Sequence, residues 1–160
     1  MKALTILTML LALSGAISQP RQKGWRGLIP LHSTQKDVER LLGSSDKKGY
    51  GSYIMEDMSV TIIYGSGICK EGWEVTKGTV LRITVFLKKR LTLSELSLDL
   101  SLYSKERDGH LPDISLYVNN REGITYKVMG DEVTQINYVP SEQDKNLKCR
   151  ARSTRKHRKQ

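Results

Sequence analysis

Between Thr79 and Lys88 the chain alternates: Leu81, Ile83, Val85 and Leu87 on one side, Arg82, Thr84 and Lys88 on the other. Successive side chains of an extended segment point to opposite faces, so this pattern predicts a strand with one buried face. Such a strand needs neighbours to complete its hydrogen bonds and its core. Ser52–Glu56 and Ser59–Tyr64 are rich in β-formers and are separated by Asp57-Met58, which predicts a hairpin. Ile114–Val118, Ile124–Met129 and Glu132–Val139 read as a meander, joined by Asn119-Asn120-Arg121-Glu122-Gly123 and by Gly130-Asp131.

Helical signals are few. Thr34 can cap free N–H groups, Asp37 completes a capping arrangement, and Val38, Leu41 and Leu42 share a face before Gly43. In Leu91–Tyr103 the leucines alternate except for a slip at Ser94-Glu95, which suits one helical turn between two extended pieces. Gly65 to Gly78 is a polar loop holding Cys69 and Trp73. The expected fold is α+β, one antiparallel sheet of about six strands with one or two short helical segments on one face.

The N-terminus predicts export. Lys2 precedes an apolar run from Ala3 to Leu13, and Ala16-Ile17-Ser18 offers small residues for cleavage before Gln19. The run is far shorter than the ~20 residues of a membrane-spanning helix. Residues 1–18 therefore read as a signal peptide, 19–148 as one α+β domain and 149–160 as a basic tail, in a periplasmic or secreted protein.

Basic and acidic residues number 26 and 17, a formal charge of +9. Arg150, Arg152, Arg155, Lys156, Arg158 and Lys159 follow Cys149, where there is no acid. With these and Lys2 set aside, 19 basic residues face 17 acidic ones between Gln19 and Lys148, a net +2. The basic character belongs to the tail, which reads as a solvated, disordered segment. It is either a passive terminus or a binder of anionic lipid, lipopolysaccharide or nucleic acid. The tail has no aromatic residue for base stacking, so no specific nucleic-acid partner is expected.

Cys69 and Cys149 lie 80 positions apart, with no CxxC and no histidines at zinc spacing. In an exported chain an isolated pair reads as one disulfide, the alternative being two separate buried thiols. Trp25 and Trp73 are candidate recognition anchors, since tryptophan is enriched at interface hot spots. They serve equally well as covers for the ends of a small core.

No phosphate-binding glycine loop, HExxH helix or EF-hand occurs, and no cofactor is expected. His110, between Asp108 and Asp113 and five residues before Ser115, is the only place where a hydrolytic set suggests itself. Without a Gly-x-Ser-x-Gly turn, Asp-Gly-His-Leu-Pro-Asp reads better as a loop. His32, beside the helix cap, reads as ordering its turn.

The segments Gly24-Trp25-Arg26-Gly27-Leu28 with Pro30-Leu31-His32-Ser33-Thr34, Asp37-Val38-Glu39-Arg40-Leu41-Leu42-Gly43, and Gly72-Trp73-Glu74-Val75 with Gly78-Thr79-Val80 carry a resemblance. They resemble a family of small exported bacterial proteins of unknown function. The likeness runs from Gly24 to Cys149 and implies no activity. More loosely, Ser33-Thr34, Val38 and Leu42-Gly43 look like the helix of small outer-membrane-assembly lipoproteins and of β-lactamase inhibitor protein. That likeness implies short helices on an antiparallel sheet and action by binding other proteins. The lipid-attachment Cys of the former is missing, so only architecture carries over.

The sequence thus points to an exported, non-enzymatic interaction module with an envelope or secreted partner. A small enzyme using residues near His110 and a polyanion binder acting through the tail are the alternatives.

Overall fold

A computed structural model of the chain describes residues 24–45 and 50–150. The expected signal peptide, with its expected cut before Gln19, and the tail beyond Arg150 fall outside the described residues.

One antiparallel sheet carries the fold. Its strands are β1 Tyr50–Ile54, β2 Met58–Tyr64, β3 Val80–Thr92, β4 Ser104–Arg107, β5 Ile114–Asn119, β6 Ile124–Met129 and β7 Glu132–Tyr138. Across the sheet the order is β1-β2-β3-β7-β6-β5-β4, so two meanders meet at the β3–β7 seam. The helix α1 spans Gln35–Leu42, and 3-10 helices cover Leu100–Leu102 and Glu142–Leu147.

The sheet has seven strands, one more than the alternation predicts. The extra one is β4, Ser-Lys-Glu-Arg, exposed throughout. An edge strand with no buried face has no hydrophobic period to betray it. Two boundaries also shift. The first hairpin turns at Glu56-Asp57, with Met55 N–H donating to the Met58 carbonyl at 2.9 Å, and β3 runs on to Thr92.

Register makes one face the core. Val60 faces Val85, Ile62 faces Ile83, Val85 faces Ile136 and Tyr126 faces Ile136. Val38 of α1 packs into this cluster with no exposure, along with Trp25 and Leu28. Leu93, Leu96, Leu98 and Tyr103 pack partly against it, and Thr92–Glu95 supplies the turn expected at Ser94-Glu95. Thr34 caps α1, its side chain and that of Asp37 exchanging hydrogen bonds with each other's backbone N–H. Such a cap is worth about 1 kcal/mol, which an eight-residue helix cannot do without.

The opposite face has a different chemistry. Ser52, Thr61, Thr84, Asn137 and Thr125 form one row across five strands. Ile54, Ser59, Phe86 and Gln135 form the next. Ile54 is 82% exposed, and Ile63 and Phe86 are also open to solvent.

Candidate functional site

A cavity of about 810 Å³ lies where the segments at the two ends of the described chain meet. A tight turn at one side builds it. Ser33 N–H donates to the Ile29 carbonyl at 2.9 Å, and Ile29 N–H donates to Ser33 Oγ at 2.8 Å. Leu31 sits inside this turn at φ +64°, a left-handed conformation that costs a branched side chain roughly 1–2 kcal/mol. Burial of Leu31 with Val75 and Leu81 offsets that strain and aims His32 at the hollow.

The opposite wall is the 3-10 helix Glu142–Leu147. Ser141 caps it, and Asp144 Oδ2 accepts from both Ser141 N–H and Ser141 Oγ at 2.7 Å. The other carboxylate oxygen, Oδ1, accepts from His32 Nε2 at 2.8 Å. Asp144 is buried and His32 is half open. Burial pushes the Asp144 carboxyl up, but hydrogen bonds from Ser141 and His32 outweigh it and hold the group below the usual carboxylate range. The His32 ring thus ties the start of the domain to its end rather than ordering its own turn. A carboxylate-oriented imidazole in a cleft is the ordinary frame for proton transfer or for ligand hydrogen bonding.

Cys69 and Cys149 are joined by a disulfide, with Cα atoms 5.7 Å apart. It locks the third wall. Glu74 N–H donates to the Leu147 carbonyl at 2.7 Å and Cys149 N–H to the Gly72 carbonyl at 2.9 Å. The disulfide therefore clamps the β2–β3 loop onto the C-terminal segment beside the cavity.

The tryptophans divide. Trp25 is only 7% exposed and lies in the core under the Arg26 guanidinium, which sits 5.1 Å from its ring centre. Of its two readings, core cover fits that burial; an anchor needs a ring open to a partner. Trp73 is half-buried against Leu31, Val75 and Leu81. Arg150 is exposed, and Arg152, Arg155, Lys156, Arg158 and Lys159 lie outside the described residues.

His110 stands apart from the cavity, in an exposed loop. Its backbone N–H donates to Asp108 Oδ1 at 3.0 Å, and Asp108 also meets Lys127 Nζ at 3.1 Å. The backbone hydrogen bond from His110 and the contact with Lys127 hold the Asp108 carboxyl low. That carboxylate serves the loop and Lys127, and no hydrogen bond of the His110 ring is found among the described residues. Nor do the described residues contain three or more His, Cys, Asp or Glu side chains placed to share a metal ion.

Comparison of the chain with protein-family models, with curated proteins and with solved structures finds no match.

Proposed function

We propose that the chain is an exported, non-enzymatic binding protein, one of the small bacterial proteins its motifs resemble. Its partner is another envelope or secreted protein, which adds an extended segment to the outer edge of β1, alongside Ser52 and Ile54. The contrast between the two sheet edges carries this reading. β4 is guarded by Lys105, Glu106 and Arg107, the usual protection against unwanted pairing. β1, Tyr-Gly-Ser-Tyr-Ile, has neither a charge nor a proline.

The bond from Met55 to Met58 sets the hydrogen-bonding parity of this hairpin. Tyr53 and Gly51 bond to β2, so the N–H and C=O of Ser52 and Ile54 point away from it. A segment paired there would place alternate apolar side chains beside Ile54 and towards Phe86, on the open face. Main-chain hydrogen bonds would supply affinity and the apolar row would supply selectivity.

The test is capture from envelope extract at two salt concentrations, with Ser52→Pro as the decisive variant. Proline removes an outward N–H and is tolerated at sheet edges. A single protein retained by the unmodified chain at both salts and lost with Ser52→Pro supports the reading. Capture unchanged by Ser52→Pro, or seen only at low salt, overturns it.

A further inference from the structure

Independently of strand docking, we propose that the cavity between His32 and Glu74 is the docking site of the chain's own basic C-terminal segment, Ala151–Gln160. Three observations converge on that occupant.

The first is position. Asn146 and Leu147 line the cavity, and Cys149 is fixed beside it by its disulfide and by its bond to Gly72. The segment therefore starts at the cavity's rim. Its ten residues span up to ~33 Å when extended, ample to fold back.

The second is charge. Glu74, Glu122 and Asp144 line the cavity, and no Lys or Arg does so among the described residues. The lining is thus of one sign in a chain with 26 basic and 17 acidic residues. Five of those basic residues lie between Arg152 and Lys159. Asp144 is committed to His32, so the exposed Glu74 at the mouth is the contact that counts most.

The third is shape. Leu31, Val75 and Leu147 give apolar walls beside the carboxylates. Arginine and lysine match such a surface, laying their methylene stems along it while their charged heads reach the acids. Tethering adds to this. A segment attached a few residues away is present at an effective concentration in the millimolar range, so a weak contact is well populated.

The experiment is limited trypsin cleavage of the full chain, with loss of the tail followed by mass spectrometry. Glu74→Gln and Glu122→Gln are compared with the unmodified chain at low and high ionic strength. At about 0.01 M salt, where screening extends over ~30 Å, cleavage after Arg152 and Arg155 should be slowest in the unmodified chain. Each variant should speed it about two- to fivefold, the range a partly exposed ion pair provides. At about 1 M salt the three proteins should be cut alike. Glu74 is exposed, so its variant keeps the fold, and far-ultraviolet circular dichroism checks both. Equal tail cleavage in all three proteins at low salt overturns the proposal. So does protection confined to the sites at Arg21 and Lys23, which would make the N-terminal segment the occupant.

Discussion

His32 and Asp144, 112 residues apart, are hydrogen-bonded at 2.8 Å and join the turn before α1 to the last helix of the domain. Asp144→Asn removes the charge that Ser141 and His32 both address, so it should cost about 1–3 kcal/mol at pH 7. The folded-state carboxyl lies below its ordinary value of 3.8, so its contribution is complete above about pH 4 and fades as pH falls through the depressed value. Urea titrations of both proteins at pH 7 and pH 3 should show the gap narrowing in acid. A gap of equal size at both pH values would remove the charged pair from the account.

The disulfide should leave no free thiol in the unfolded, unreduced protein. Reduction should lower stability by about 2–5 kcal/mol, as for native bridges in small secreted domains. Thiol titration in denaturant and urea melts with and without reductant check both statements. Two titratable thiols per chain would remove the clamp beside the cavity.

The two faces of the sheet should respond oppositely to truncation. Ile83 has no exposure, so Ile83→Ala should cost about 2–5 kcal/mol. Ile54 is 82% exposed, and Ile54→Ser should change stability by no more than about 0.5 kcal/mol. Chemical denaturation measures both. A large cost at Ile54 would mean that its side of the sheet is covered.

Two glycines with similar backbone angles separate strain from crowding. Gly130 has φ +66° and open space where a Cβ would stand, so Gly130→Ala should cost only the left-handed penalty of about 1–2 kcal/mol. At Gly123, φ +67°, an added Cβ would stand 2.1 Å from the Val139 carbonyl oxygen, beside the cavity. Gly123→Ala should therefore be clearly the worse of the pair in thermal melts. Equal melting temperatures would show that the β5–β6 turn relaxes freely.

What the sequence disclosed follows from which interactions are local. The helix cap at Thr34 and Asp37, the alternation in β3 and the Gly130-Asp131 turn are decided within a few residues, and the structure has all three. β4 escaped because an exposed edge imposes no pattern. The 3-10 helix after Ser141 carries a legible capping box, Ser141 with Asp144, that the meander reading passed over. The cavity had no local signature at all. His32 finds Asp144 only because the β3–β7 seam and the disulfide bring the two ends of the domain together, and no spacing rule covers 112 residues.

That seam also dictates how the chain can assemble. Every other strand pair joins neighbours in sequence, whereas β3–β7 brings Ile83 against Tyr138. Within each meander the connections are shorter, the longest running from Gly65 to Thr79, while their union must close the stretch from Thr92 to Glu132. The rate of folding is therefore set at this single junction. Substitutions at Val85 and Ile136, which face each other across it, should slow folding more than equally destabilising changes at the outer hairpins.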